Sequence, residues 1–355
     1  MTKQYHVIGL MSGTSLDGLD IAYCSFNEKN NKWNFSINAA DIVAYSNKWL
    51  KKLQGAHELS GADLLKLHSE YGKYLGEQVV TFIKAKDIKK VDFVASHGHT
   101  VFHQPKEKFT FQLGSGAAIA AACNCNVVND FRTLDVALNG QGAPLVPIGD
   151  KMLFGEYEYC INLGGFANIS FDKNGKRIAF DICPANIALN YLASQLGKQY
   201  DKNGQLAAKG KVENDLLKKL NTLSYYKASA PKSLGREWLE KEFLPIINEQ
   251  EISIEDKLAT VTMHVVEQIK KVVSGQLSGK VLVTGGGAFN TFLIKQLKAN
   301  LPHHKIVIPV EEIIKFKEAL VFAFLGVLRW EEKDNCLASV TGADRNNKGG
   351  AIWSL

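Results

Sequence analysis

Residues 7–22, VIGLMSGTSLDGLDIA, decide the fold of this chain. Two apolar runs, residues 7–11 and 19–23, flank a turn of small and polar residues. Apolar runs on either side of a short turn are typical of adjacent strands, so the stretch predicts a β-hairpin. The turn does not end in Gly-Lys-Ser/Thr and no helical pattern follows it, which excludes a Walker A loop.

The same turn has the residue types of an anion site. Gly13 and Gly18 allow backbone conformations in which several N–H groups converge on one anion. Asp17 and Asp20 are suited to hold Mg²⁺ through water. A plain hairpin turn is the alternative. The hydroxyl donors of the turn are Ser12, Thr14 and Ser15.

Length and composition favour a two-domain protein that acts on small molecules. The 355 residues are enough for two domains that each bury a core. The net charge of +6 comes from lysines spread along the chain, which favours acidic small substrates, or solubility alone, over a nucleic-acid face. The six cysteines lack the spacing of a disulfide framework or a zinc site. No signal peptide precedes residue 7 and no apolar run reaches membrane-spanning length, so we expect a cytoplasmic protein with no membrane partner. The sequence does not decide the oligomeric state and leaves a homodimer open.

The order of the predicted elements repeats once. Each half begins with three consecutive strands, the first followed by a turn that contains glycine, and then alternates helices with strands. A duplicated α/β unit explains this order better than one continuous sheet. We therefore expect a first domain of residues 1–127, joined by a tail of about 336–355, and a second of residues 128–335. A long amphipathic helix is predicted over residues 254–273, with Gly275 as its C-cap.

Glycine turns follow three of the predicted strands. One such turn is weak evidence, but three at equivalent strand ends favour a polyphosphate site. Two of them could clamp the phosphates in a cleft between the domains, and the third could admit a flat nucleoside. The turns lie at Gly13, at Gly164-Gly165 and at Gly285-Gly286-Gly287.

Eight motifs along the chain resemble, in order, the successive motifs of the anhydro-N-acetylmuramic acid kinase family, within the sugar kinase, Hsp70 and actin superfamily. The resemblance runs from residue 7 to about residue 343, and the opening, QGAPLVP and GGGAFN blocks are quite specific. The motifs are GLMSGTSLDGLD, SHGHTVFH, DFRTLDVALNGQGAPLVP, NLGGFANIS, FDICPANIALN, KSLGREW, VTGGGAFN and FKEALVFAFLG.

The resemblance implies a fold, an activity and a set of binding residues. The fold is α/β, with two RNase H-like domains of the actin and hexokinase type whose mixed sheets are flanked by helices around a central cleft. The activity uses ATP and Mg²⁺ to hydrolyse the 1,6-anhydro bridge of a recycled cell-wall amino sugar and to phosphorylate O6. Mg²⁺ is expected at Asp17 and Asp20, through water. The implied ATP-binding residues are Gly13, Thr14, Ser15, Leu16, Asp17, Gly18, Leu19, Asp20, Gly164, Gly165, Gly285, Gly286, Gly287 and Asn290.

Asp181 is the predicted catalytic base. It lies where the third strand of the second half ends, at the position that matches the family's base, and the reaction needs a base for the attacking water. The alternative is an N-cap residue for the helix that starts after Pro184.

Arg132 and Glu318 are predicted to bind the substrate. Arg132 follows Asp130 at a strand end, and an arginine there suits a bidentate fork with the lactyl carboxylate of the sugar. A salt bridge with Asp130 or Asp135 is the alternative for Arg132. The resemblance places Glu318 near the sugar, and an ordinary solvated glutamate on an amphipathic helix is its alternative.

His99 and Thr100 are also predicted to position the substrate. His97 and His99 would point to the same side of a strand and, with His103, could suggest a metal site. No cysteine or carboxylate completes such a site nearby, so we favour the positioning role.

Three sites in the sequence depart from the commoner family pattern and bear on substrate preference rather than on ATP use. Residues 182–185, Ile-Cys-Pro-Ala, stand where Thr-Gly-Pro-Gly is commoner. Ser115 stands in place of an aspartate, and Asn139 in place of a glycine.

Two other classes of function are alternatives. A nucleotide-gated binding protein of the actin or Hsp70 type would have slow ATPase activity and would phosphorylate no sugar, but no appended peptide-binding domain is visible. A glycosidase could use Asp181 and Glu318 as paired carboxylates, but it leaves the three glycine turns unexplained.

Overall fold

The computed structural model describes residues 3–30, 32–274 and 278–355. The chain divides into two compact units, Met1–Leu153 with Phe316–Leu355, and Phe154–Lys315. The predicted boundaries at residues 127 and 336 were therefore wrong. Aromatic packing gives the reason, because Phe131 and Phe322 lie 5.7 Å apart between ring centroids, and Phe324 lies 5.5 Å from Phe26 in the first unit.

The described residues contain twelve strands. They are β1 (Gln4–Ser12), β2 (Leu19–Lys29), β3 (Lys32–Val43), β4 (Phe93–Gln104), β5 (Phe109–Leu113), β6 (Val127–Asn129), β7 (Tyr159–Leu163), β8 (Phe166–Lys173), β9 (Lys176–Pro184), β10 (Lys280–Thr284), β11 (Lys305–Val307) and β12 (Ala351–Trp353).

Helices connect and cover these strands. The α-helices of the described residues are α1 (Asn47–Gln54), α2 (Gly61–Ala85), α3 (Gly116–Cys123), α4 (Thr133–Ala137), α5 (Val146–Leu153), α6 (Asn186–Ser194), α7 (Asn214–Asn221), α8 (Arg236–Trp238), α9 (Leu244–Asn248), α10 (Ile254–Val273), α11 (Thr291–Asn300), α12 (Glu311–Trp330) and α13 (Ala338–Thr341). A π-helical turn, Leu239–Phe243, joins α8 to α9. The 3₁₀ turns are Ala56–Glu58, Pro105–Glu107, Lys202–Gly204, Ala207–Lys209, Ser224–Lys227 and Gly286–Phe289.

Each unit contains one mixed sheet with the same central order of strands. The first sheet has the order β12-β6-β4-β1-β2-β3, with β5 paired to β4, and the second has the order β11-β10-β7-β8-β9. In each sheet the first three strands of the unit pair antiparallel in sequence order. The first of them runs parallel to the fourth, so β1 is parallel to β4 and β7 is parallel to β10. The shared order is 3-2-1-4-5, that of RNase H-like domains. The predicted fold class and the duplication are confirmed.

Strand β1 is buried on both faces. Ile8 and Leu10 are at most 1% exposed and pack in a core cluster with α2. Successive side chains of a strand point to opposite faces, so Gly9 lies on the other face, against α12. A Cβ on Gly9 would overlap the carbonyl oxygen of Ala319 and lie 2.9 Å from its carbonyl carbon. The helix and the sheet therefore approach at a distance that glycine alone permits.

Local signals in the sequence located several helix boundaries. Ser60 is the N-cap of α2, and its hydroxyl accepts a hydrogen bond from the backbone N–H of Asp63 at 3.2 Å. Helix α10 has the predicted bounds, and Gly275, its predicted C-cap, lies outside the described residues. Among the described helices, none is both long enough and apolar enough to cross a bilayer.

Gly9→Ala is expected to lower the free energy of unfolding by about 2–3 kcal/mol, because the added methyl forces β1 away from α12. Gly61→Ala is the matched control, since a Cβ at Gly61 meets no atom within 4 Å. The control should change stability by no more than about 0.5 kcal/mol. Thermal and urea unfolding of both variants measure the difference, and equal stabilities would refute the close-packing argument.

Candidate active site

The backbone conformation of the first glycine turn, residues 12–18, explains the glycine at position 18. The N–H of Leu16 donates to the carbonyl of Gly13 at 3.3 Å, and Leu16 itself has a φ of 60°. Gly18 has a φ of 156°, and a Cβ there would lie 2.7 Å from Cγ2 of Ile42. Both the conformation and the close approach favour glycine at position 18.

The side chains of this turn place two carboxylates near a third. Thr14, Ser15 and Asp17 are exposed, and the Ser15 hydroxyl donates to Asp17 Oδ1 at 2.7 Å. Burial, followed by the charges of Asp17 and Glu318, raises the pKa of Asp20 to about 7. A cation bound here would relieve the repulsion among these acids.

Arg132 is held by neutral partners. Its Nε and Nη2 donate to His97 Nε2 at 3.0 and 2.9 Å, and its Nη1 donates to the carbonyl of Gly142 at 2.6 Å. His97 Nδ1 lies 2.8 Å from the carbonyl oxygen of Gly98, which cannot donate, so Nδ1 carries the proton and Nε2 accepts. Burial, then the charge of Arg132, holds the pKa of His97 well below its usual value. One N–H on Nη1 and one on Nη2 have no acceptor among the described residues.

Neither proposed carboxylate partner forms a salt bridge with Arg132 in the described part of the chain. The carboxylate of Asp135 is buried and accepts from Gly142 N–H, the Thr341 hydroxyl and the Asn347 amide, each at 2.8 Å. Asp130 accepts from the N–H of Thr133 at 3.3 Å. The alternative assignment of Arg132 was therefore wrong, and Asp135 instead ties the loop at Gly142 to the C-terminal segment.

Glu318 lies on α12, and its side chain reaches solvent. Desolvation of its carboxyl by the surrounding protein raises the pKa of Glu318. The charges of Arg132 and Lys317 lower this pKa, and the charge of Asp17 raises it. Glu318 thus belongs electrostatically to the same cluster as Asp17 and Arg132.

His99 is part of a buried network that the sequence analysis did not find. The Tyr45 hydroxyl donates to Ser12 Oγ at 2.8 Å, and Ser12 Oγ lies 3.2 Å from His99 Nδ1. Tyr71 lies 2.7 Å from Tyr45 between hydroxyl oxygens. Thr100, the next residue on β4, is half-buried. The network joins the end of β1 to α2, and no local sequence signal points to contacts between residues so far apart.

The three histidines of β4 have separate partners. His97 contacts Arg132, His99 contacts Ser12, and His103 Nδ1 lies 3.2 Å from Thr110 Oγ1. Across the described residues, no three His, Cys, Asp or Glu side chains converge as a set of metal ligands.

The second unit brings its two glycine turns together. Gly285 has a φ of 79°, and a Cβ there would overlap Asn162 Oδ1 and lie 2.8 Å from the carbonyl carbon of Leu163. A Cβ on Gly287 would lie 2.6 Å from Cβ of Leu163, the residue directly before Gly164. Gly165 and Gly286 are exposed. The two turns therefore present bare backbone at the same end of β7 and β10.

Some polar groups at this end of the sheet are already hydrogen-bonded to the ends of helices. The carbonyls of Gly164 and Gly165 accept hydrogen bonds from the first N–H groups of α6 at 2.8–3.1 Å. Asn290 is the N-cap of α11, and its Oδ1 accepts from the N–H of Leu293 at 3.0 Å. The side-chain oxygen of Asn290 is therefore already engaged within the unit.

Asp181 is on β9, opposite Asn168. The strand continues to Pro184 and Ala185 is the N-cap of α6, so the N-cap alternative for Asp181 was wrong. Asp181 Oδ2 accepts from the N–H of Leu234 at 2.8 Å, and Oδ1 has no partner among the described residues. Burial raises the pKa of Asp181, and the Leu234 hydrogen bond lowers it.

The sequence matches the model of one protein family, anhydro-N-acetylmuramic acid kinase, over residues 5–354. The chain belongs to this family. Two proteins named anhydro-N-acetylmuramic acid kinase illustrate the similarity. The protein from Shewanella putrefaciens is 34% identical, covering 97% of each chain, and the protein from Pseudomonas fluorescens is 33% identical, covering 98% of each. Among solved structures, component A of (R)-2-hydroxyglutaryl-CoA dehydratase from Acidaminococcus fermentans covers 90% of this chain and 96% of its own, at 15% identity and a TM-score of 0.45.

The departures from the commoner pattern of the anhydro-N-acetylmuramic acid kinase family lie at caps, turns and core positions. Ser115 is the N-cap of α3 and accepts from the N–H of Ala118 at 3.3 Å, a role that aspartate also performs. Asn139 has a φ of 67°, which asparagine tolerates better than most residues. Ile182 and Cys183 are at most 2% exposed in the core of the second unit.

Asp20→Asn is expected to stabilise the protein at pH 8 by about 2 kcal/mol, roughly half the full value because solvent reaches the carboxyl. The pKa of Asp20 is about 7 in the folded chain and 3.8 ordinarily. Ionising Asp20 therefore destabilises the folded state as the pH rises from about 4 to about 7, and asparagine avoids this cost. The advantage of the variant should vanish near pH 4.

Asp17→Asn is the companion variant. It removes one of the charges that raise the pKa of Asp20. The pH range over which ionising Asp20 destabilises the folded protein should therefore become narrower. Thermal unfolding of wild type and both variants from pH 4 to 8 measures the windows. A difference between Asp20→Asn and wild type that stays constant across this range would contradict the assignment.

Proposed function

We propose that this chain is an ATP-dependent kinase that opens the 1,6-anhydro bridge of anhydro-N-acetylmuramic acid with water and phosphorylates O6. The products are N-acetylmuramic acid 6-phosphate and ADP. The observation that carries the proposal is the state of Asp181. Its Oδ2 is oriented by the N–H of Leu234, its Oδ1 has no described partner, and burial raises its pKa. A carboxylate in this state suits a general base for water.

The reaction is proposed as one displacement at C1 coupled to phosphoryl transfer. Asp181 takes a proton from water as the water oxygen bonds to C1. The C1–O6 bond breaks, and its electron pair stays on O6. O6 then bonds to the γ-phosphorus of ATP, and the bond to the bridging oxygen breaks to release ADP.

Arg132 is proposed to bind the lactyl carboxylate of the sugar. His97 and Gly142 hold three of its donor groups, which leaves one N–H on each terminal nitrogen for a bidentate contact. Because its anchoring partners are uncharged, the positive charge is not neutralised before the substrate binds. His99, Thr100 and Glu318 complete the proposed sugar-binding residues.

The glycine turns are proposed to bind ATP. The exposed hydroxyls and backbone of the first turn suit the phosphates, and the bare backbone at Gly165 and Gly286 suits close approach of the nucleotide. Mg²⁺ would be held through water by Asp17 and Asp20, where it would neutralise phosphate charge. Burial, followed by the charges of Asp17 and Glu318, raises the pKa of Asp20, and a bound cation would favour the ionised carboxylate against these effects, which fits this assignment. We further propose that the reaction serves peptidoglycan recycling in the cytoplasm.

ADP formation is expected to depend on the anhydro sugar, because closure over both ligands should complete the reactive arrangement. Asp181→Asn should still bind ATP but retain less than a tenth of the wild-type rate, a barrier increase of at least roughly 1.4 kcal/mol. Coupled ADP release with and without sugar, together with the product mass, tests both expectations.

Asp215→Asn is the control for Asp181→Asn, since Asp215 is exposed in the first turn of α7 in the same unit and the variant should be close to wild type. Equal ADP release with and without the sugar would favour a nucleotide-gated binding protein instead. A sugar product without phosphate would favour a glycosidase. A rate above a tenth of wild type in Asp181→Asn would exclude Asp181 as the base.

The sugar phosphate is expected to form first as the α-anomer. In the anhydro sugar O6 is bonded to C1 on the β face, and O6 must leave C1 towards ATP, so water has access only from the α face. A single displacement resembles the chemistry of inverting glycosidases and forms no glycosyl-enzyme intermediate. Proton NMR at early times, before mutarotation, identifies the first anomer. Initial β-anomer would indicate a double displacement with Asp181 as nucleophile.

A further inference from the structure

Residues 225–234, the 225–234 segment, hold Asp181 at three points. The Tyr225 hydroxyl donates to the backbone carbonyl of Asp181 at 2.6 Å. The N–H of Asp181 donates to the carbonyl of Lys232 at 3.2 Å. The N–H of Leu234 donates to the side-chain Oδ2 of Asp181 at 2.8 Å. One segment therefore fixes both the backbone and one carboxylate oxygen of this residue.

The 225–234 segment is closed by contacts between its own ends. Lys232 Nζ donates to the carbonyl of Tyr225 at 3.1 Å and lies 4.5 Å from the centroid of the Tyr225 ring. The same ammonium lies 5.6 Å from the ring centroid of Phe180, the neighbour of Asp181 on β9. Cation–π contacts of this kind are attractive. They fix Tyr225 relative to the stretch that ends at Leu234.

The segment is also anchored in the core of the second unit. The Tyr226 hydroxyl lies 2.9 Å from Nε2 of His264. His264 Nδ1 lies 2.8 Å from the side-chain oxygen of Asn221, so Nδ1 carries the proton and Nε2 accepts from Tyr226. His264 is fully buried, and burial lowers its pKa to about 3, so it stays neutral. Tyr225 and Tyr226 thus bond in different directions, one to Asp181 and one to the core.

We propose that Tyr225 is a positioning residue of the reaction, which acts through the 225–234 segment to hold Asp181 Oδ2 on Leu234 and leave Oδ1 for the attacking water. The proposal rests on the proposed role of Asp181 as the base. It assigns to the KSLGREW stretch a function that its residue types do not indicate, because the contacts with Asp181 use backbone groups of Lys232 and Leu234.

The balance of effects on Asp181 gives the proposal a measurable consequence. Burial raises the pKa of Asp181, and the hydrogen bond from the N–H of Leu234 lowers it. The groups that face it are Tyr225 and Lys232 of the segment, Cys183 on β9 and the neutral Asn168 on β8. Without the Tyr225 hydroxyl, the segment should loosen and the Leu234 hydrogen bond should weaken. The pKa of Asp181 should then rise, since burial remains.

The test compares Tyr225→Phe with Tyr226→Phe in the full-length chain. Both variants remove one hydroxyl from the same segment, but only the first removes a contact with Asp181. Carbon-13 NMR of labelled aspartate carboxyls follows the titration of Asp181, whose signal is assigned by its loss in Asp181→Asn. Steady-state kinetics across pH give kcat and the KM values for sugar and ATP.

Tyr225→Phe should raise the pKa of Asp181 and move the acidic limb of the kcat profile to higher pH. Its kcat should fall about three- to tenfold with the KM for ATP unchanged, the loss expected for one hydrogen bond. Tyr226→Phe should lower thermal stability without moving the titration of Asp181. An unchanged titration in Tyr225→Phe, or an equal shift in both variants, would overturn the proposal. Full activity of Asp181→Asn would exclude Asp181 as the base, on which this proposal rests. Equal ADP release with and without the sugar would overturn the proposed function, and the NMR titration, which does not depend on turnover, distinguishes this failure from a failure of the Tyr225 proposal.

Discussion

The close approach of β1 and α12 at Gly9 is the constraint on which the first unit depends. Where a Cβ would overlap the carbonyl oxygen of Ala319, the helix rests directly on the sheet. The residue before Ala319 is Glu318, and the strand that contains Gly9 ends at the first glycine turn. The packing of one glycine therefore brings Glu318 close enough to Asp20 for their charges to interact. Burial is the main cause of the raised pKa of Asp20, and the charges of Asp17 and Glu318 raise it further.

The charged groups of the candidate site differ from structural charges in the partners that hold them. Lys317 and Asp150 form a buried ion pair at 2.7 Å, in which each charge neutralises the other. Arg132 is held by a neutral histidine and a carbonyl, and Asp181 by a backbone N–H. Neutral partners fix the position of a charge without neutralising it. Charges held in this way remain available to a ligand, which is the physical reason for assigning them functional roles.

The fold could be predicted from the sequence because its signals are local. The hairpin of residues 7–22, the N-cap at Ser60 and the bounds of α10 follow from patterns a few residues long. The unit boundary could not be predicted in this way. Residues 128–153 and 316–335 join the first unit through packing such as that of Phe131 on Phe322, a contact between residues that are far apart in the sequence.

The side chains of the candidate site could be predicted from their residue types. The partners that orient those side chains could not be predicted. Arg132 and Asp181 were chosen as candidates by residue type, by the position of each near a strand end and, for Asp181, by the match to the family's base. Their anchoring partners were not, because a carbonyl at Gly142 or an N–H at Leu234 is a group that nearly every residue carries. Asp181 and Leu234 are 53 residues apart, so only the folded chain brings them together. Sequence patterns can therefore identify a candidate side chain, while its direction depends on backbone groups, and its pKa on burial and on those groups, which the pattern does not distinguish.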